Sequence, residues 1–186
     1  MTGLFQNGWR DYDPTSGRYI QSDPIGLGGG ISTYAYVGNN PYMRVDALGL
    51  CDCESVVPLV PSNVDINSNV AAMLNLKALS NVTGGIGTAM KFRTFYELVR
   101  NSGAWDIKQK GRDYTDYGNF HYGVVGSAAG IPSEVLQRAA GWAQTRSGNH
   151  NAKDGGPLGS PPYGDDPLDQ RQISNGIWWY ENCYWQ

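Results

Sequence analysis

The chain has 186 residues, of which 40% are hydrophobic and 17% charged, and its formal net charge is −3. These values exclude a disordered chain, and the absence of a long apolar run argues against a transmembrane helix. The N-terminal residues also lack the basic-then-apolar pattern of a signal peptide. The acidic balance weakens a nucleic-acid interpretation, since phosphate binding draws on clustered Lys and Arg. We expect one domain or two small ones.

Three cysteines and two histidines limit the covalent and metal chemistry of the chain. Cys51 and Cys53 are too close for an ordinary bridge to each other, so a single disulfide from Cys183 to either of them is the open alternative. Two histidines cannot build a His-rich metal site. We therefore predict no cofactor, and a divalent cation held by carboxylates stays open.

Residues 1–50 are rich in Tyr and Gly and predict short strands separated by turns. Residues 9–12 and 18–21 are typical of two strands around a turn at 13–17, and residues 31–37 of a third strand. A β-meander of this length cannot bury a core of its own. We expect it to belong to something larger or to wrap the second part of the chain.

Ordered motifs in this segment resemble the Rhs repeat-associated core. They are Arg10-Asp11-Tyr12-Asp13-Pro14, Gly17-Arg18-Tyr19, Asp23-Pro24-Ile25-Gly26-Leu27, Tyr34-Ala35-Tyr36-Val37-Gly38-Asn39-Asn40-Pro41 and Asp46-Ala47-Leu48-Gly49-Leu50. The resemblance implies the end of a β-strand shell in front of a variable C-terminal toxin. It also implies self-cleavage after Leu50 by two aspartates, which carry over to Asp23 and Asp46. Ala47 stands where the family has proline.

The implied self-cleavage has a simple chemical basis. One carboxylate would activate a water molecule, and the other, protonated, would polarise the scissile carbonyl. The alternative is that both aspartates only form turns, because Asp-Pro is a common turn signal.

Residues 51–64 are predicted to be a linker and residues 65–186 a mainly α toxin domain, with α+β left open. Apolar spacing predicts a helix at 67–79, a second one capped by Thr88, a third at 133–145, and a last one capped by Asp166. Gly84–Gly87 should break the chain between the first two. The faces expected to be buried contain Phe92, Phe95, Tyr96 and Val99, then Val135, Leu136, Ala139 and Ala143, and finally Ile173, Ile177 and Tyr180.

Two polar clusters are candidates for the functional site, one within residues 113–121 and one at 163–170. If they meet, their carboxylates would flank a cleft with His121, which suits general acid/base hydrolysis or a divalent cation. Gly123 and Gly126 would allow helices to approach closely. Each acid alone is equally explained by helix capping, and His121 by core packing. The predicted catalytic residues are Asp116, His121, Asp165 and Asp113, and the predicted substrate-binding residues are Asn119, Tyr117, Lys108, Gln144 and Asp169.

Ordered blocks across residues 90–180 resemble the bacterial polymorphic toxin type 44 domain. The blocks include Trp105-Asp106, Tyr117-Gly118-Asn119-Phe120-His121-Tyr122-Gly123, Ala139-Ala140-Gly141-Trp142-Ala143-Gln144 and Gly164-Asp165-Asp166-Pro167. The resemblance implies an interbacterial toxin with a cognate immunity protein. With the Rhs motifs, it implies a parent Rhs shell, a secretion apparatus and delivery into a target bacterium, with the periplasm favoured and the cytosol open.

Three functions compete for residues 51–186. A hydrolase of peptidoglycan or its precursor is favoured by the carboxylates, the mild acidity and tryptophans that could stack on sugars. A metal-independent ribonuclease would use His121 as base and the basic cluster of Lys108, Lys110 and Arg112 for phosphate. A non-catalytic binding module would leave both polar clusters as caps and turns.

Overall fold

The computed structural model describes residues 3–24, 26, 32–36, 46, 49, 53, 56–148 and 151–185. It divides the chain into two compact units, Met1–Val57 and Pro58–Gln186. The first contains a three-stranded antiparallel sheet and the second contains helices, so the predicted fold class is confirmed. None of the described helices is both long and apolar enough to cross a membrane. Cys53 and Cys183 are each disulfide-bonded, and Cys51 lies outside the described residues.

The sheet of the first unit has the order β1-β2-β3, formed by Phe5–Asn7, Arg10–Asp13 and Arg18–Tyr19. Strand β1 was not predicted, because its three residues carry no alternating pattern. The turn from β2 to β3 forms because the Asp13 carboxylate accepts a hydrogen bond from the Thr15 backbone N–H at 2.9 Å and Gly17 takes a φ of 68°. The predicted third strand is reduced to one bridge at Ala35, and part of its range lies outside the described residues.

Four α-helices form the second unit. They are α1 (Ile66–Val99), α2 (Thr115–Ala128), α3 (Ser133–Arg146) and α4 (Pro167–Asn182), with 3₁₀ turns at Ile107–Lys110, Arg112–Tyr114 and Ala152–Asp154. Asp166 caps α4 as predicted, since its side chain accepts from the Leu168 N–H at 2.8 Å. The predicted buried face of α4, with Ile173, Ile177 and Tyr180, is also confirmed.

Helix α1 departs from the prediction in two ways. It runs through the glycine-rich stretch, where Gly84 alone is non-helical, with φ 63° and ψ −135°, so the expected break is a kink. Thr88 does not cap a helix: its hydroxyl donates to the Gly84 carbonyl at 3.0 Å. Of the predicted apolar face, Phe95 is buried, whereas Phe92 and Tyr96 are 41% and 52% exposed. Only a narrow stripe of this half of α1 is covered, with Phe95 packed on the ring of Tyr122.

Glycines set the packing around α2. Gly176 of α4 lies so close to the Phe120 backbone that an added Cβ would be 2.8 Å from its carbonyl carbon, and Gly123 of α2 meets the Ile173 carbonyl of α4 in the same way. Gly126 faces Leu136 of α3, which confirms the predicted close approach at both α2 glycines. On α3, Leu136 is buried, and Val135 is 45% exposed because it lies on the side away from α2. Helix α2 is therefore enclosed by α1, α3 and α4.

Candidate functional site

Helix α2 directs the residues of the first polar cluster to different sides, because successive helical residues point about 100° apart. His121 faces α1, where Asn69 Nδ2 donates a hydrogen bond to its Nε2 at 2.9 Å. Its ring also meets Trp105 edge-on, with centroids 5.6 Å apart. His121 is 1% exposed, and burial lowers its pKa to about 4, since the imidazolium is poorly solvated there. At neutral pH it is an uncharged hydrogen-bond acceptor.

The acids predicted beside His121 do not join it. Asp113 and Asp116 are exposed at the entrance to α2, where they complement the helix dipole. Tyr117 is buried, and burial, with a contribution from the charge of Asp65, raises its pKa to about 12. Asn119 is 4% exposed, and its Nδ2 has no hydrogen-bond partner among the described residues.

The second polar cluster is organised around Asp165, in the loop before α4. Asp165 is 3% exposed, and its Oδ2 accepts a hydrogen bond from Gln170 Nε2 at 2.9 Å. Gln170 also donates to the Gln137 carbonyl at 2.9 Å, which joins the cluster to α3. Desolvation, reinforced by the charge of Asp169, raises the pKa of Asp165 against the opposing effects of the Gln170 hydrogen bond and Lys108. The result is a buried carboxyl group whose pKa lies above that of an ordinary aspartate.

Asp169 differs from Asp165 in its surroundings. It lies in the first turn of α4, and its Oδ2 is 3.4 Å from Lys108 Nζ. The Lys108 side chain crosses α2 at Gly118, where an added Cβ would be 3.0 Å from Lys108 Cγ. Asp165 also faces α2, because its charge contributes to the raised pKa of the buried Tyr122 phenol. Lys108 and Asp169 form an ion pair, and the charges of both act on Asp165, so we call these three residues the acid cluster.

The two predicted clusters do not merge around His121. The pKa of His121 responds to burial alone, whereas carboxylate charges act on Tyr122 and Asp165. Gln144 is half-buried on α3. Gln170 belonged to the second predicted cluster and Tyr122 to a quoted block, but neither had been assigned a role. Asn69 was not singled out, because nothing in its local pattern distinguishes it from an ordinary helix residue.

A cleft with a volume of about 300 Å³ opens beside His121. It is lined by the segment before α1, by Asn69 of α1, by Trp105 and by the 3₁₀ turn Ile107–Lys110. Asn69 and Trp105, which line the cleft, both contact His121, so the buried imidazole packs behind these two lining residues.

The first unit holds the two aspartates predicted for self-cleavage. Arg10 Nη1 lies 3.1 Å from Asp23 Oδ2, and Arg10 Nη2 lies 3.1 Å from Asp46 Oδ2. All three residues are buried, and Asp46 Oδ2 also accepts from the Tyr19 hydroxyl at 2.8 Å. Arg10 Nε donates to the Gly49 carbonyl, next to the predicted cleavage position Leu50, which itself lies outside the described residues. Arg10 stands within the quoted motif but had been assigned no role.

Metal ligands are not grouped in the described part of the chain. No three His, Cys, Asp or Glu side chains come together there as a possible cation site.

The acid cluster lies mostly within a segment that matches a known family. The family model described as bacterial toxin 44 matches residues 112–182, which contain α2, α3 and α4. Residues 112–182 are a bacterial toxin 44 domain. Lys108 and the cleft beside His121 precede the matched part of this toxin domain.

Among three relatives of the chain, two carry an Rhs or a toxin name. It is 54% identical over 52 residues to the probable deoxyribonuclease RhsB of Dickeya dadantii, covering 28% of this chain and 4% of that protein. It is 46% identical over 59 residues to the toxin protein Tse5 of Pseudomonas aeruginosa, covering 32% and 4%. It is 42% identical over 116 residues to the putative uncharacterized protein YibJ of Escherichia coli, covering 62% and 47%.

The chain thus spans about half or less of the length of these relatives. No solved structure matches it. The two resemblances stated from the sequence are confirmed, and the chain carries a C-terminal polymorphic toxin domain of the Rhs type.

Proposed function

We propose that the toxin domain hydrolyses peptidoglycan or its precursor by acid/base chemistry on the acid cluster. The observation that supports this most is the difference between its two carboxyl groups. Burial raises the pKa of Asp165, whereas Asp169 is partly exposed and paired with Lys108 at 3.4 Å. A proton donor and an ionised carboxylate in one group are what glycosidic and amide hydrolysis require. Asp165 is the general acid in this proposal, and Asp169 orients or activates water.

His121 has no direct catalytic role in this proposal. Its Nε2 is already the acceptor for the Asn69 amide, so the neutral ring has no other lone-pair nitrogen with which to remove a substrate proton. A general base must reach the proton that it removes. The proposal therefore replaces the predicted Asp116–His121–Asp165 arrangement with Asp165 and Asp169.

Sacculus digestion tests the hydrolase directly. Purified chain should release soluble fragments from bacterial sacculi, and Asp165→Asn should lower the rate by about 100-fold or more, the range for loss of a general acid. Asp166→Asn is the matched control, since Asn also caps helices and the neighbouring carboxylate serves only the α4 cap. Mass spectrometry of the fragments identifies the bond. No digestion by wild type, or equal digestion by Asp165→Asn, contradicts the proposal.

A ribonuclease is the second candidate, because Lys108, Lys110 and Arg112 are all exposed on neighbouring 3₁₀ turns. It is less favoured, since Lys108 is engaged by Asp169 and the acceptor nitrogen of His121 is engaged by Asn69. Expression with and without a secretory leader separates the two. Killing that needs export supports the wall hydrolase, and killing only without export, with RNA degradation, supports the ribonuclease.

Self-cleavage after Leu50 is proposed for the first unit. It is supported by the burial of Asp23 and Asp46 against one guanidinium that also contacts the Gly49 carbonyl. Mass spectrometry of purified chain should detect a fragment that begins at Cys51, and Asp23→Asn or Asp46→Asn should abolish it. Asp11→Asn is the control, because an amide oxygen can still accept the hydrogen bond from Gln21 Nε2. Intact wild-type chain would contradict the proposal for this sequence.

The partners follow from the toxin family. We propose a cognate immunity protein, a parent Rhs shell and a secretion apparatus that delivers the toxin into a target bacterium, with the periplasm as the compartment of action. The deoxyribonuclease name of RhsB does not carry over, since the chain covers only 4% of that protein.

A further inference from the structure

We infer that the cleft beside His121 is a binding subsite for an N-acetylated amino sugar of a glycan. The inference deepens the proposed wall hydrolase function and rests on it. The cleft has a volume of about 300 Å³ and combines one aromatic ring, two side-chain amides and one ammonium group. It lies outside the acid cluster and largely outside the segment that the toxin family matches.

Trp105 provides the stacking surface. It is partly exposed, and its ring is braced by His121, with an interplanar angle of 85° and a centroid distance of 5.6 Å. A braced indole loses little conformational freedom when a ligand packs on it. The C–H face of a pyranose is an apolar surface that matches such a ring.

Asn69 provides directional hydrogen bonds. One Nδ2 hydrogen is donated to His121 Nε2 at 2.9 Å, which fixes the plane of the amide. Within the described residues, its other hydrogen and its Oδ1 have no protein partner. A donor and an acceptor side by side match an acetamido group or two vicinal hydroxyls. His121 acts here as a positioning residue, and its uncharged form keeps Nε2 an acceptor.

The charges at the cleft favour a neutral or singly acidic sugar over a polyanion. Lys110 supplies one positive charge, and Asp65 supplies one negative charge. The Asp65 carboxylate is occupied by the first turn of α1, since it accepts from Asn67 N at 3.0 Å and from Ser68 Oγ at 2.6 Å. A nucleic-acid backbone at this cleft would meet that fixed carboxylate, whereas a sugar with one carboxyl group can pair with Lys110.

The cleft and the acid cluster share one structural element. In the 3₁₀ turn Ile107–Lys110, Lys108 reaches Asp169 while Lys110 lines the cleft. Residues two apart on a 3₁₀ turn point about 120° apart, so the side chains of the two lysines diverge from each other. A polysaccharide bound in the cleft would therefore contact the same 3₁₀ turn that holds Lys108, the ion-pair partner of Asp169.

Binding of N,N′,N″-triacetylchitotriose to the full chain tests the inference by NMR titration. The Trp105 indole N–H and the Asn69 side-chain amide signals should shift with a saturable, millimolar affinity. Trp105→Ala should weaken binding by about tenfold, the factor given by about 1.4 kcal/mol. Asn63→Ala changes an exposed cleft residue and provides a second variant that does not disturb the fold. Trp142→Ala is the control, because this 47% exposed tryptophan of α3 lies outside the cleft.

The outcomes distinguish this inference from the proposed function. Shifts at Trp105 and Asn69 support the subsite, even if sacculi are not digested and the hydrolase proposal fails. If sacculi are digested through Asp165 while the trisaccharide shifts neither residue, the subsite is wrong and the hydrolase proposal stands. Equal weakening by Trp105→Ala and Trp142→Ala, or cleft shifts with an oligoribonucleotide and not with the sugar, also overturns the inference.

Discussion

Replacing Gly176 by alanine tests whether the α2–α4 crossing holds the toxin domain together. An added Cβ would lie 2.8 Å from the Phe120 carbonyl carbon and 3.1 Å from its Cα, and still closer to its carbonyl oxygen. These atoms are backbone, so two packed helices must separate rather than one side chain rotate. Overpacking of this kind costs about 3 kcal/mol, and the higher helix propensity of Ala returns about 1 kcal/mol. We expect a net loss of about 2 kcal/mol, or roughly 7 °C in Tm.

The control for this prediction is Gly85→Ala, which makes the same chemical change in α1. A Cβ at Gly85 meets nothing within 4 Å, and its backbone is not in the left-handed region. This variant should be stabilised by up to about 1 kcal/mol. Chemical denaturation followed by circular dichroism measures both variants. If Gly176→Ala is as stable as wild type, the helices do not cross by backbone contact, and the placement of α4 against α2 is wrong.

Three further predictions concern ionisable groups. The folded pKa of Asp165 is raised above 3.8, so the unfolded chain loses this proton first as the pH rises, and the aspartate lowers the stability of the fold at pH 7. Asp165→Asn should therefore unfold at a higher denaturant concentration than wild type at pH 7, and this gain in stability should vanish below pH 3.8. A gain that does not change with pH would contradict the pKa shift. The pKa of His121 is about 4 in the folded chain and 6.5 for an ordinary histidine, so the stability of the native state should fall as the pH falls from 6.5 to 4. His121→Gln should flatten this pH dependence, and an NMR titration that places the pKa of His121 near 6.5 would refute the prediction. Arg10→Met leaves Asp23 and Asp46 buried without their shared cation, so the first unit should lose about 3 kcal/mol or more of folding stability. Faster hydrogen exchange in β2 and β3 would measure this loss, and Arg18→Met, at an exposed arginine, is the control.

Local signals were enough to predict much of the fold. Asp166-Pro167 is a cap followed by a favoured first helical residue, and the spacing of Ile173, Ile177 and Tyr180 determines the buried face of α4. The same logic failed at Phe92 and Tyr96, because periodicity shows which residues share a face and not how much of that face another helix covers. In α1 only a narrow stripe is covered.

The candidate site was harder to predict, for a geometric reason. Asp116 and His121 are five residues apart, but the helix places one at the solvent and the other against α1. Lys108 and Asp169, in contrast, are far apart in the chain and lie 3.4 Å from each other. Such a contact depends on how α2 and α4 cross, which no local pattern encodes. The hydrogen-bond partner of Asp165 is Gln170, which lies one turn into α4. Gln170 reaches this position because α4 begins at the Asp166 cap.

The surroundings of Asp165 also bear on whether the toxin domain is an enzyme or a binding module. In a binding module, residue 165 would only have to accept the hydrogen bond from Gln170 Nε2. An asparagine side chain would do this without an ionisable group. Asp165 instead sits where it is 3% exposed and where desolvation raises its pKa, so its ionisation at neutral pH destabilises the fold. Proton transfer during a reaction would be a physical use for that loss of stability. A stable, correctly folded Asp165→Asn protein that still kills would remove this argument and favour the binding module.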